Sequence, residues 1–145
     1  GNFECRIGTN VGVLLEAAGG LKDGAKKVIA GGPMMGFAMY NLDVPTTKTT
    51  SAITCFLHDA VEESPSTACI NCGRCVNACS EGLVPARLSQ FAEKGDLETF
   101  EKWHGMECVE CGCCSYVCPA KRPLAQVIRN ARRMAMAARK KQGGR

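Results

Sequence analysis

The segment CINCGRCVNAC at residues 69–79 places four cysteines in the spacing C-x2-C-x2-C-x3-C. A second segment, CVECGCCSYVC at residues 108–118, repeats this spacing and is followed by Pro119. Together the two segments contain eight of the chain's eleven cysteines in the repeated spacing. Because this run is the ligand pattern of bacterial [4Fe–4S] proteins, the sequence predicts an iron–sulfur protein that moves electrons.

The two runs predict two clusters with crossed ligation. A cubane cluster needs four thiolates, and three cysteines on one tight loop can reach three of its corners. The fourth cysteine, beside a helix start, points away from the loop and binds the other cluster in two-cluster proteins. We therefore expect cluster I to be held by Cys69, Cys72, Cys75 and Cys118. Cluster II is expected to be held by Cys108, Cys111, Cys114 and Cys79.

Two other uses of these cysteines fit the spacing less well. Zinc sites also contain C-x2-C pairs, but they combine two such pairs and leave the third position of this run without a cysteine. Disulfides would require an oxidising compartment. One departure from the iron–sulfur pattern is Ser80, which follows Cys79 where proline is usual, whereas Pro119 supplies that proline in the second run. The departure bears on the local turn more than on the ligand.

Three cysteines lie outside the two ligand sets. Cys113 stands between two ligands, where we expect a small buried residue beside the cluster, with a redox-sensitive spare thiol as the alternative. Cys5 and Cys55 lie in strand-like contexts and are expected to be small core residues. His58 and His104 are expected at the surface or at helix ends, because eight thiolates already satisfy two clusters.

The first part of the chain is rich in glycine and in β-forming residues. Residues 3–7 alternate like a half-buried strand. A helix is expected next, capped by Thr9 or Asn10. Further strands are predicted at 27–30 and 51–57. This order of elements predicts a small α+β unit.

A glycine-rich segment, GGPMMG at residues 31–36, invites comparison with a phosphate-binding loop. It lacks the G-x4-G-K-[ST] arrangement that such loops need. We expect instead a tightly packed turn in which Met34 and Met35 fill gaps.

The second part of the chain is rich in cysteine and helical in pattern. The two runs are separated by 28 residues, which carry two helix patterns rather than the shorter, β-rich spacer of compact bacterial ferredoxins. Pro85 can begin the first helix, and Asp96 can cap the second, with Phe100 and Trp103 facing inward. Pro123 then opens a long terminal helix. These patterns predict an α-helical ferredoxin module.

Four segments together carry a family resemblance. They are IAGGPMMG at 29–36, DVP at 43–45, CVECG at 108–112 and YVCPAKRPL at 116–124. In this combination the chain resembles the RnfC family, which comprises the C subunits of the Rnf electron-transport complex, over nearly its whole length.

The resemblance implies an α+β architecture of two domains. It places a truncated β-grasp domain of the SLBB type at 1–57, with its first strand missing, and a linker at 58–67. An α-helical ferredoxin domain with two [4Fe–4S] clusters and a basic C-terminal helix follows at 68–145. FMN and NAD(H) are expected only in a domain upstream of residue 1, so we expect the chain to be a C-terminal fragment.

The resemblance also implies a function. The Rnf complex is a membrane-bound ferredoxin:NAD+ oxidoreductase that couples electron transfer to movement of sodium ions or protons. The RnfC protein is peripheral, at the cytoplasmic face of the bacterial cell membrane. The chain is then expected to relay single electrons between ferredoxin-side subunits and the upstream flavin and NAD(H) domain. Its expected partners are the other Rnf subunits and ferredoxin, and by itself it needs no substrate site and no catalytic residue.

Two alternatives remain open. A related cobalamin reductase of bacterial microcompartments shares the same modules and cluster chemistry and differs in its partners. A zinc-stabilised binding module with a basic tail belongs to another class of protein, and metal analysis separates it from the first two.

Basic residues are concentrated at the end of the chain. From Lys121 to Arg145 there are nine Lys or Arg and no acidic residue. A solvated helix face explains them most simply, and docking to an anionic membrane surface or an acidic partner is the alternative. Nucleic acid is not expected, because few aromatic residues accompany these charges. No apolar run approaches the roughly 18 residues that a membrane-spanning helix requires.

Overall fold

The computed structural model of the chain describes residues 1–59, 61 and 63–143. For residues 142 and 143 it describes the backbone only. Its internal contacts divide it into two units, Gly1–Glu63 and Ser64–Arg145. The division falls within the segment 58–67 that the sequence assigns to a linker. None of the helices in the described part is long and apolar enough to cross a membrane.

The first unit contains one helix and a three-stranded antiparallel sheet. Helix α1, Val11–Ala17, begins where the Asn10 side chain accepts a hydrogen bond from the backbone N–H of Gly12 at 2.7 Å. Asn10 is thus one of the two predicted caps. The strands are β1 (Lys27–Ala30), β2 (Phe37–Ala38) and β3 (Ile53–Phe56). Strand β1 lies between the other two, and β1 and β3 lie where the sequence predicts strands.

Two expectations for this unit are wrong. Residues 3–7 form no strand, because no strand edge takes up their backbone groups and the carbonyl of Arg6 accepts turn hydrogen bonds from Thr9 instead. Met34 and Met35 are exposed and do not fill gaps. The close packing of their turn comes from Gly36, where a Cβ would lie 2.4 Å from the Cγ2 atom of Ile29.

The second unit is helical, as predicted. Its helices are α2 (Arg74–Asn77), α3 (Pro85–Glu93), α4 (Leu97–Lys102), α5 (Cys113–Tyr116) and α6 (Leu124–Gly143), with a 3-10 turn at Gly105–Glu107. Pro85 is the first residue of α3, and the Asp96 carboxylate accepts a hydrogen bond from the backbone N–H of Thr99 at 3.0 Å. Pro123 directly precedes α6. The local start signals in the sequence therefore place all three helices correctly.

Helices α3, α4 and α6 enclose the core of the second unit. Phe100 and Leu88 are fully buried there. Two of the predicted ligands, Cys79 and Cys108, pack against the same core. Trp103 does not face inward as predicted: it is 44% exposed, because it follows the end of α4, and its ring lies against Phe91 with 5.5 Å between centroids.

Candidate metal centre

The two cysteine runs fold into loops with the same backbone conformation. Asn71 and Glu110, each two residues after the first cysteine of its run, have φ values of 54° and 59°. Gly73 and Gly112, with φ values of 74° and 83°, directly precede α2 and α5. Glycine is favoured at the latter positions because a side chain is strained in this left-handed region. Each loop thus turns sharply before the short helix that leads to its fourth cysteine.

The structure brings the fourth cysteine of each run to the first three of the other. A cavity of about 170 Å³ is lined by Cys69, Cys72, Cys75 and Cys118. A cavity of about 20 Å³ is lined by Cys108, Cys111, Cys114 and Cys79. These are the two groups that the crossed pattern in the sequence pairs.

The two groups of thiols differ in burial. Cys72 in the first group is exposed, whereas the second group has no exposed member. Burial raises the pKa of Cys114 to about 11. It also raises the pKa of Cys108, against the effect of a hydrogen bond that the Glu110 backbone N–H donates to its Sγ at 3.4 Å. Because the thiolate is the form that binds metal, metal binding here must displace protons from buried thiols.

An ion pair lies next to each cavity. Arg122, which lines the first cavity, forms an ion pair with Glu93 that raises its own pKa. At the second cavity the Glu110 carboxylate accepts a hydrogen bond from Nε of Arg129 at 2.7 Å and another from Arg132. The carboxylate of Glu110 is therefore engaged by arginines and is not open to a metal ion.

The donor set fits an iron–sulfur cluster. Four cysteines and no histidine are among the residues described as lining each cavity, and [4Fe–4S] clusters are held by four thiolates. Within the described part of the chain, no three Cys, His, Asp or Glu side chains converge closely enough to hold a single metal ion. A cubane cluster does not require the side chains to converge on one ion, because each thiolate binds its own iron.

Two of the three remaining cysteines lie elsewhere than predicted. Cys5 and Cys55 are exposed, so their assignment to the core is wrong. Cys55 lies on β3, an edge strand whose face is open at that position. Cys113 is half-buried at the start of α5, and a hydrogen bond with Cys111 raises its pKa. His104 is exposed, as expected, with its Nδ1 atom 2.9 Å from Glu107.

Sequence reasoning missed the ion pairs of the second unit. Four basic residues of the C-terminal segment bind carboxylates of the same unit instead of forming only a solvated face. They are Arg122, Arg129, Arg132 and Arg139. A weak signal was present, because Arg129 and Arg132 are three residues apart and so share one face of a helix.

Comparison with known proteins agrees with this architecture. The family model for the SLBB domain matches residues 1–38, and that for the 4Fe-4S dicluster domain matches residues 68–121. The fold and the cysteine cavities thus define an iron–sulfur protein in which an SLBB domain precedes a 4Fe–4S dicluster domain.

Three relatives define the family more narrowly. The C subunit of the proton-translocating ferredoxin:NAD(+) oxidoreductase complex of Clostridium ljungdahlii is 42% identical over 130 residues, which are 88% of this chain and 28% of the relative. The C subunit of the Na(+)-translocating ferredoxin:NAD(+) oxidoreductase complex of Acetobacterium woodii is 38% identical over 139 residues, 96% of this chain and 31% of the relative. The C subunit of the ion-translocating oxidoreductase complex of Yersinia pestis is 43% identical over 102 residues, 68% of this chain and 16% of the relative.

The chain belongs to this RnfC family of ion-translocating oxidoreductase C subunits. It spans less than a third of the length of each of these relatives.

Proposed function

We propose that the chain relays single electrons through two [4Fe–4S] clusters within an Rnf complex. The observation that carries this proposal is the sorting of eight cysteines into two cavities, each with three cysteines of one run and the fourth of the other. Cluster I would be held by Cys69, Cys72, Cys75 and Cys118. Cluster II would be held by Cys108, Cys111, Cys114 and Cys79.

The residues around these thiols serve binding and water exclusion. When bound, a [4Fe–4S] cluster supplies a one-electron site whose charge is spread over several irons and sulfides. Leu83, Leu88 and Ile128 line the second cavity and keep water from it, and all three are buried. The Glu110 backbone N–H donates to Cys108 Sγ, a contact of the kind that tunes cluster potentials. The relay needs no general acid, base or nucleophile.

The names of the relatives support a place for this relay. The relatives from Clostridium ljungdahlii and Acetobacterium woodii are named as subunits of ferredoxin:NAD(+) oxidoreductase complexes. We infer that the chain exchanges electrons with other subunits of such a complex. Ferredoxin would be the protein outside the complex with which these subunits exchange electrons. FMN and NAD(H) would bind in a domain upstream of residue 1. The protein would then be peripheral at the cytoplasmic face of the cell membrane, with the exposed end of α6 available to the membrane surface.

The domain limits of this proposal follow the sequence. The SLBB-like segment would occupy 1–57, the linker 58–67 and the α-helical ferredoxin domain 68–145. The contact division between residues 63 and 64 and the dicluster match at 68–121 support these limits.

Metal and sulfide analysis tests the cofactor. Anaerobically purified protein is expected to contain about eight irons and eight acid-labile sulfides per chain, because two cubanes hold four of each. Stoichiometric zinc with little sulfide, in both anaerobic and aerobic preparations, would refute the relay and favour a zinc-stabilised binding module.

Serine substitutions test the crossed ligation. Cys72→Ser and Cys111→Ser, in the middle of each run, provide reference electron paramagnetic resonance (EPR) spectra for damage to cluster I and cluster II. The crossed arrangement predicts that Cys79→Ser matches the Cys111→Ser spectrum and that Cys118→Ser matches the Cys72→Ser spectrum. Matching in the opposite sense would show that each run holds its own cluster.

The exposed Cys55 supplies the control for these substitutions. It lies outside both cavities, so Cys55→Ser is expected to leave both EPR signals at their wild-type intensity.

A further inference from the structure

Glu110 has a backbone conformation that is unfavourable for a glutamate. Its φ of 59° lies in the left-handed region, where glycine, asparagine and aspartate are the usual residues. The equivalent residue of the first run, Asn71, has a φ of 54° and is of the favoured type. Holding a glutamate in this conformation is energetically unfavourable. Contacts of the Glu110 side chain help to offset that cost.

Those contacts fix the loop of the second run to α6. The Glu110 carboxylate accepts hydrogen bonds from Arg129, at 2.7 Å, and from Arg132. Arg132 also donates from Nε to the backbone carbonyl of Met106 at 3.2 Å. Because Cys108 lies between Met106 and Glu110, the segment that presents this thiol is attached to α6 on both sides.

The ion cluster is largely shielded from water. Arg129 is only 7% exposed, and the side chains of Glu110 and Arg132 are about one quarter exposed or less. Ion pairs at such sites are less screened than those on a surface, and removing one partner leaves a poorly solvated charge. The triad of Glu110, Arg129 and Arg132 is therefore less screened than a surface pair, and its two arginines and one glutamate give it a net charge of one positive unit.

The loop of the first run has no equivalent attachment in the described structure. Asn71 is exposed, and its side chain accepts only from Cys69 Sγ, at 3.7 Å, within the same loop. Arg122, the arginine beside that cavity, binds Glu93 on α3 instead of a residue of the loop. Two loops with the same backbone are thus supported in different ways.

We propose that Glu110 is a positioning residue for cluster II. Its carboxylate, held by Arg129 and Arg132, locks the loop from Cys108 to Cys111 onto α6, and the charges of the triad help to set the reduction potential of the cluster. This inference rests on the proposed function for the presence of the cluster, but the locking of the loop does not depend on it.

The charge effect predicts shifts of opposite sign in the reduction potential of cluster II when Glu110 and Arg132 are replaced. Reduction adds an electron, so positive charge near a cluster raises its potential and negative charge lowers it. Glu110→Gln removes a negative charge and is expected to raise the potential of cluster II. Arg132→Gln removes a positive charge and is expected to lower it. A merely structural triad would behave differently, because either substitution would loosen the same loop and shift the potential in the same direction.

Redox titration followed by EPR of the full chain measures both potentials. Arg139→Gln is the matched control. Arg139 lies on the same helix, and its ion pair with Glu101, with a nitrogen–oxygen distance of 2.6 Å, involves no residue that lines either cavity. The expected result is a shift of cluster II alone, upward in Glu110→Gln and downward in Arg132→Gln, with no shift in the control. Shifts of the same sign in the two variants, or no shift in either, would overturn the charge effect.

Hydrogen exchange measured by mass spectrometry tests the lock. Glu110→Asn keeps a residue suited to the left-handed conformation but cannot reach both arginines. Exchange in the segment 106–112 is expected to accelerate at least about tenfold, which corresponds to about 1.4 kcal/mol of lost local stability, whereas the segment 69–75 stays unchanged. Unchanged exchange at 106–112 would overturn the lock. Iron and sulfide analysis of the wild-type protein decides the proposed function separately, because the exchange comparison needs no cluster signal.

Discussion

Replacing Gly105 with alanine is expected to destabilise the second unit. Gly105 is buried at the start of the 3-10 turn before Cys108, and a Cβ there would lie 2.4 Å from the Cε1 and Cζ atoms of Phe100. The Phe100 ring is fully buried and packed by its neighbours, so it has little room to move aside. Such overpacking costs about 1–3 kcal/mol.

A generic glycine-to-alanine change would have the opposite sign. Gly105 is not among the glycines with a left-handed φ, so alanine at this position would ordinarily stabilise by about 0.4–1 kcal/mol through the unfolded chain. Because the clash is larger than this gain, the expected net loss is about 1–2 kcal/mol. The structure thus predicts the sign of the effect as well as its size.

Urea denaturation under anaerobic conditions, followed by circular dichroism, measures this loss. If Phe100 is the cause, Gly105→Ala should cost less when introduced into Phe100→Leu than into the wild type, because the shorter side chain leaves room. Gly32→Ala is the control, since a Cβ there would meet nothing within 4 Å. A Gly105→Ala variant as stable as the wild type, or equal costs in both backgrounds, would refute the reasoning.

Three further predictions concern access and pH. A chelator should remove cluster I before cluster II, because Cys72 is exposed and the second group has no exposed thiol; simultaneous decay of the two EPR signals would contradict this. Iodoacetamide should label Cys5 and Cys55 in the native protein, as both are exposed. An unlabelled Cys5 or Cys55 in mass spectrometry would contradict this exposure. The hydrogen bond from the Thr99 backbone N–H lowers the pKa of Asp96 below its ordinary 3.8, so its cap stabilises the protein fully above that value and is lost as the pH falls through the lowered pKa. Asp96→Asn keeps the cap without its carboxyl titration, and an acid-unfolding curve identical to that of the wild type would exclude this contribution.

Local signals account for what the sequence predicted correctly. Pro85 and Asp96 begin helices through interactions within a few residues, so their effect does not depend on the rest of the fold. The spacing of a cluster-binding run restricts which thiols can meet, and the cysteines of each predicted group line one cavity. In both cases the information lies in short stretches of sequence.

Long-range pairing accounts for what the sequence did not reveal. Alternation at residues 3–7 is necessary for a half-buried strand but not sufficient, since a strand also needs a neighbouring edge. Strand β2 has only two residues, Phe37 and Ala38, too few to show any alternation. The exposure of Cys55 follows from the edge position of β3. None of these facts is encoded within a window of adjacent residues.

The two cysteine runs share a backbone conformation and differ in the side chains around them. Left-handed residues recur at matching positions, with Gly82 at φ 63° and Lys121 at φ 52° three residues after the fourth cysteine of each run. Glycine has little preference against this conformation, whereas lysine does. The backbone is therefore repeated even where the side chain opposes it. Because the loops are alike, a difference in potential between the two proposed clusters is expected to come from the side chains around them and from their exposure to solvent. Among the described residues, the triad centred on Glu110 contacts the second loop, and the first loop has no equivalent ion cluster.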